Sequence, residues 1–357
     1  MTKTNYINAS IYSSEKQTFI DNQFMTVDDA TGKIIAVGTG TPDTIAEQTT
    51  DMQGKYVMPG IMNAHTHITS IPTYWWHDGQ EDRHPESREY NTMYAIHNMQ
   101  DMVNHGVTYI RNVGAQYDID VAISKMQREG KIAGPRVMTS GQAFSITGGH
   151  GSDGGHEVDG VDAVVQGVRQ ALKMGVDTVE HAFDIDDETI EMMRQHGTVI
   201  VPTMNVMYAI YKYGEKTVPA WAREKVIVNI KKHFASITKA AAAGIPIAMG
   251  TDAGTPYNGF EDESAYEMQL YVDKAGMTPA QAIDTSTINC ARAMHVADEY
   301  GTISAGKFAD FIAMTANPIE DIRVIQQDKD VFQHGIQVHQ AAKTAGVDEQ
   351  VPVRQVG

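Results

Sequence analysis

From residue 57 to about residue 297 short β-rich runs alternate with amphipathic stretches, and this alternation constrains the 357-residue chain more than any single motif. Strands that alternate with helices are the signature of parallel βα units. The strand candidates are "GIMNAH" (60–65), "VTYIRNVG" (107–114), "PRVMTSG" (135–141), "VDTVEHA" (176–182), "TVIVPTM" (198–204) and "IPIAMGTD" (245–252). Helices are expected over "SREYNTMYAIHNMQDMVNHG", "DIDVAISKMQREGK", "VDAVVQGVRQALKMG", "DDETIEMMRQHG" and "REKVIVNIKKHFASITKAAAAG". Most of them end at Gly just before the next strand, as helix C-termini often do. "TPAQAIDTSTINCARAMHV" reads as two further helices.

Both ends of the chain read differently. "FIDNQFMTVDDATGKIIAVGTG" alternates apolar and polar positions around the turn "DDATGK", which predicts a hairpin, and "GTISAGKFADFIAMTANP" and "DVFQHGIQVHQ" follow the same pattern. No low-complexity linker separates the parts. The expected organisation is therefore a small β-domain from residues 1–56 and 301–357 beside an α/β body over 57–300.

Composition narrows the partners. A formal net charge of −17 repels phosphate backbones and anionic lipid surfaces, so no nucleic acid and no membrane partner is expected and a small molecule is the default. No apolar run approaches the roughly 18 residues of a spanning helix. The N-terminal "MTKTNYINASIYSSEKQTF" has no apolar signal core, and a single cysteine, Cys290, has no internal partner. The expectation is a cytoplasmic protein.

Within "VMPGIMNAHTHITS", His65 and His67 lie two apart at the end of a strand, so both project from one face. Paired imidazoles begin a site for zinc or a similar metal. An isolated His-x-His among 14 histidines can also be decoration, and the strand-end position favours the ligand reading. Asp252 ends an apolar strand that runs into a glycine turn. A carboxylate there suits catalysis, with an Asx turn or a helix cap as the alternative. His181 ends "VDTVEHA" in a similar place, with a satisfied polar contact as the alternative for a lone strand-end histidine. Alternation turns its neighbour Glu180 the other way, toward the helices. The glycine-rich "SITGGHGSDGGHEVDG" lacks the strand-GxxxxGK[ST]-helix arrangement of a phosphate loop. Its His150 reads as a substrate contact from a lid or rim, with a bland mobile loop as the alternative, and Tyr208 in the aromatic stretch "VMYAIYKYGEKTVPAW", read as a loop, is a second substrate contact.

Together "GKYVMPGIMNAHTH", "GVTYIRNVG", "GPRVMTSGQAFSITGGHG", "VDTVEHAFDIDDETIEMMRQHGTVIVPTMN", "GIPIAMGTDAGTP" and "GTISAGKFADFIAMTANPIEDI" resemble the amidohydrolase superfamily. The branch is that of metal-dependent hydrolases with prolidase-like dipeptidases, arginine carboxypeptidases and imidazolonepropionase relatives. The resemblance implies a TIM barrel with a small β-sandwich built from both termini. It implies that His65 and His67 are the metal pair of the first strand, His181 the histidine of the sixth and Asp252 the aspartate of the eighth. The bridging lysine of the fourth strand and the histidine of the fifth have no counterpart. "VRQALKMGVDTVEHA" passes from the helix before strand four into text resembling strand six, so two βα units are missing and six strands are counted. Such a barrel closes tightly, stays open on one side, or is completed by another copy as a homo-oligomer. The expected activity is metal-dependent hydrolysis of an amide or dipeptide-like bond, with one or two zinc ions. His65, His67 and Asp252 suffice for one catalytic ion with a water position free. The alternative is a silent relative that binds or assembles.

Overall fold

The computed structural model describes residues 2–70, 87–140, 144–145, 156–157, 177–183, 185–216 and 218–342. The chain opens with β1 (Lys3–Ser13), β2 (Thr18–Asp28) and β3 (Lys33–Thr39), paired antiparallel in sequence. The β2–β3 turn forms because Asp28 Oδ1 accepts the Ala30 N–H and Gly32, at φ +68°, takes the left-handed backbone that closes it. β4 (Gln48–Asp51) and β5 (Tyr56–Pro59) then run parallel to β1.

The body follows: β6 (Ile61–Thr66), α1 (Arg88–Asn104), β7 (Val107–Asn112), α2 (Ile119–Arg128) and β8 (Arg136–Thr139). β9 (Phe144–Ser145) and β10 (His156–Glu157) make a short parallel pair. Next come β11 (Thr178–Glu180), α3 (Asp187–His196), β12 (Val199–Val201), α4 (Met204–Tyr213) and α5 (Ala220–Ala242). The helices α6 (Glu263–Ala275), α7 (Pro279–Thr285) and α8 (Ile288–Ala293) end it. Local chemistry sets several boundaries. The Asp186 side chain caps α3 and Gly197 ends it left-handed, and Thr278 and Gln281 form a capping box on α7 with Pro279 in its first turn. The expected helix over 161–175 lies outside the described residues.

The parallel segments stand in a ring-wise order. β6 pairs with β7 and β7 with β8, while β11 pairs with β12. Residues 245–253 join the two groups, bridging to β12 at Ile200–Ile247 and to β6 at Thr66–Ala253. The last segment thus lies beside the first, and among the described residues no pairing joins β8 to β11. β6 is buried along its whole length, as a parallel strand covered on both faces must be. Its Ile61 and Met62 pack with Met99, Met102 and Val103 of α1 and with Ile110 of β7 in the main core.

"VMYAIYKYGEKTVPAW" is not simply a loop: its first part lies in helix α4. The Glu267 carboxylate supplies the missing cap, accepting the Met204 and Asn205 N–H groups at 2.7 Å each, a partner that local sequence does not reveal.

The chain ends in β13 (Phe311–Met314), β14 (Asp330–Gln333) and β15 (Ile336–His339). β13 pairs antiparallel with β5, so both ends of the chain share one eight-stranded sheet in the order β15-β14-β13-β5-β1-β2-β3, with β4 on β1. Its core stacks Phe311 on Phe332, centroids 4.3 Å apart, with Tyr6 edge-on to both. No helix among the described residues is long and apolar enough to cross a membrane.

Where this sheet meets the body, Gly60 N–H donates to the Asp310 carbonyl and His334 N–H to Asp310 Oδ1, while Oδ2 is buried without a partner. Burial pushes the carboxyl up to about 7. The folded group stays protonated up to that pH while the unfolded one ionises near 4, so its contribution to stability is lost as pH rises between the two. Asp310→Asn should equal the parent near pH 4 and exceed it near pH 8 by on the order of 2–4 kcal/mol in urea unfolding; a difference independent of pH would contradict this.

Candidate metal centre

Three of the sequence-predicted residues, His65, His67 and Asp252, meet at the seam where 245–253 lies against β6. The Ala64 N–H donates to the Met249 carbonyl, Asp252 N–H to His65 O and His67 N–H to Ala253 O, each within 2.8–2.9 Å. This register sets Asp252 opposite the two histidines. His67 Nε2 is 2.9 Å and His65 Nε2 3.5 Å from Asp252 Oδ1. Each of the three residues offers one ligand atom, all within 4.8 Å of one another. Two donors bound at about 2.0–2.1 Å to one tetrahedral ion stand roughly 3.3 Å apart, so this set fits a small divalent cation.

Backbone strain aims the surrounding side chains. His181, Thr203 and Asp252 each end a parallel segment with left-handed φ of +65°, +52° and +58°. Such angles in non-glycine residues are held by their surroundings and cluster at functional sites. Asp252 is held by the Asn258 side-chain amide, which donates to the Thr251 and Asp252 carbonyls.

His181 lies beside the group and outside it. Its ring centroid is 5.0 Å from that of His65, and its Nδ1 is 2.6 Å from Thr203 Oγ1. Because the Thr203 hydroxyl gives its proton to Pro202 O, the His181 Nδ1–H must be the donor to it, which leaves Nε2 unprotonated. Burial lowers the His181 pKa, in keeping with a neutral ring.

Glu180 corrects the expectation from strand alternation. It does not turn to the helices: its Oε2 accepts from His65 Nδ1 at 2.6 Å. The strand ends at Glu180 and His181 is left-handed, so the two side chains do not alternate across a sheet. Glu180 Oε1 accepts from Arg111 Nη2 at 2.8 Å and from Thr178 Oγ1 at 2.6 Å, and Arg111 Nε is anchored on the Ala64 carbonyl. Sequence reading passed over Arg111, Thr178 and Thr203; the one signal for Glu180 is its adjacency to His181.

Electrostatics follow these contacts. Burial alone would lower the His65 pKa, but hydrogen bonds to Asp252 and Glu180 raise it to about 9. Burial opposes ionisation of Asp252, and His65 and His67 outweigh it, holding the acid well below the usual carboxylate range. Glu180 is likewise lowered against its burial by His65 and Arg111.

Of the other expected contacts, Tyr208 lies half-buried on α4, its ring 5.8 Å from Tyr266 and under the Lys212 ammonium. His150 lies outside the described residues.

The sequence matches the pattern of the amidohydrolase family over residues 56–181 and 166–335, well over half of the chain. The chain belongs to the amidohydrolase family. The two matches share residues 166–181, the run "QGVRQALKMGVDTVEH". Among curated relatives, an ochratoxinase of Aspergillus niger is 34% identical over 170 residues, which is 46% of this chain and 34% of that protein. An imidazolonepropionase of Desulfotalea psychrophila is 25% identical over 148 residues, 42% of this chain and 31% of that protein. The matches thus span about a third of these relatives' length. Among solved structures, a Xaa-Pro dipeptidase with bound methionine superposes with a TM-score of 0.80 at 24% identity, covering 94% of this chain and 99% of that one. The chain thus shares the fold of that structure.

Gly250 lets the amidohydrolase seam close. A Cβ there would stand 2.3 Å from Val201 Cγ1 and 2.8 Å from His65 Cβ. Gly250→Ala should cost about 1–3 kcal/mol in chemical denaturation, because Val201 and His65 must shift to admit the methyl group; unchanged stability would show that the neighbours yield freely.

Proposed function

We propose that this amidohydrolase-family protein is a metal-dependent hydrolase of an amide or peptide-like C–N bond in a small molecule such as a dipeptide or an N-acyl amino acid. The observation that carries the reading is the convergence of His65 Nε2, His67 Nε2 and Asp252 Oδ1 on one position. Three ligands leave a coordination position free for water, as a catalytic zinc site requires. Zinc is the ion proposed; bound there it would polarise the amide carbonyl and activate water. His65 and His67 hold the ion, and Asp252 binds it or handles the proton. His181, with its proton committed to Thr203, offers a lone pair on Nε2. That suits a second ion better than a substrate oxyanion, which needs a donor. His150 and Tyr208 are proposed to contact the substrate.

The body is read as a (β/α) barrel short of two βα units after Gly175, with the terminal sheet as its sandwich domain, in a cytoplasmic and optionally homo-oligomeric protein. The ring-wise order of β6, β7, β8, β11, β12 and 245–253 supports this. A second reading, a silent relative that binds or assembles, is favoured by one observation. The sequence offers no counterpart for the bridging lysine of the fourth strand or the histidine of the fifth that the resemblance implies.

Metal content and a screen of dipeptides and N-acyl amino acids decide between them. The enzyme reading expects about one or two equivalents of zinc and hydrolysis that is lost, together with the metal, in His65→Ala. Folded protein that takes up no zinc and hydrolyses nothing would establish the silent relative.

A further inference from the structure

We propose that Glu180 is a positioning residue of the metal centre, and that Arg111 is what keeps it in position. The inference rests on the reading of His65 as a metal ligand. A histidine binds a cation through one ring nitrogen only when that nitrogen is free of its proton, and the group bonded to the other nitrogen decides which one that is. His65 has carboxylates on both sides: Asp252 at Nε2 and Glu180 at Nδ1. An ionised carboxylate only accepts, so the Glu180 contact keeps a proton on Nδ1 and assigns Nε2, the atom that faces His67 and Asp252, to the ion.

Glu180 does not bind the ion itself. Its Oε2 is engaged by His65, its Oε1 by Arg111 and Thr178, and neither oxygen belongs to the group that converges on the metal position. Its orientation is over-determined for a residue without a function at the site. Arg111 reaches from β7 to β11, forking between Thr178 Oγ1 at 3.2 Å and Glu180 Oε1 at 2.8 Å, while its Nε holds the carbonyl of Ala64, the residue before His65. One guanidinium therefore fixes both the backbone that carries His65 and the carboxylate that orients its ring. Arginine suits this task because its planar donors are arranged in a rigid fork.

The test measures zinc affinity by competition with a chelating dye, and the visible absorption of the cobalt(II)-loaded protein, for the parent, Glu180→Ala, Glu180→Gln and His65→Ala. Loss of such an orienting carboxylate typically weakens metal binding 10- to 100-fold. Glu180→Ala should do so and alter the cobalt spectrum, with the metal-free protein still folded by circular dichroism. Glu180→Gln keeps an acceptor for Nδ1–H and should fall between parent and Glu180→Ala; it carries the test if the alanine variant does not fold. His65→Ala should lose binding altogether. Parent affinity and an unchanged spectrum in Glu180→Gln and Glu180→Ala would overturn the positioning role while leaving the metal site intact. Binding abolished as completely as in His65→Ala would overturn it in favour of Glu180 as a ligand. A parent protein that takes up neither ion would overturn the proposed function, and this role with it.

Discussion

The backbone hydrogen bonds that Ala64, His65 and His67 make with residues 249–253 govern the arrangement of everything near the site. They join the first parallel segment to the last, two stretches nearly two hundred residues apart in sequence, and they do so in one register. Side chains alternate with a period of two along a strand, so a slip of one residue would turn His65 and His67 away from Asp252. Gly250 permits the close approach, since any side chain there would meet Val201 and His65. Thr203 and His181 attach through β12 and β11 on the far side of the same segment.

The site concentrates ionisable groups in a buried place, and their pairing explains why they are tolerated there. Burial penalises an unpartnered ionisable group heavily, and each one here has a hydrogen-bonding partner: Asp252 with His67, Glu180 with Arg111 and His65. Such pairs contribute little net stability compared with apolar packing, and removing one member is far more costly than never having had the pair. What they supply is direction. The chain from Arg111 through Glu180 and His65 to Asp252 engages both ring nitrogens of His65, and this gives the imidazole a single orientation.

How much of this was readable in the sequence depended on whether a residue obeyed the rules of its own element. His65 and His67 follow strand periodicity, so their spacing alone placed them together. Asp252 sits where an apolar strand runs into glycine, and the terminal hairpins declare themselves by alternation around turn residues. Glu180 could not be placed in this way, because alternation was extended across a residue whose backbone is left-handed. Helix α4 was missed because Thr203 provides no side-chain cap and Glu267, 63 residues beyond Met204, does. Arg111 was invisible for a related reason: its partners lie on β6 and β11, and nothing near it in the sequence indicates the contacts.

The terminal sheet also bears on how the chain is made. β5 finds its antiparallel neighbour in β13, and the Tyr6 hydroxyl donates to the Gly335 carbonyl, 329 residues later. A ribosome adding about 5–20 residues per second takes on the order of tens of seconds to cover that distance. During that time β1 to β5 exist without the strands that complete their sheet, and pairing at such separation is slow even when both partners are present. The open edge of β5 is a surface on which nascent copies can pair wrongly, so yield in the cell should be limited by what shields this edge during synthesis rather than by the finished fold.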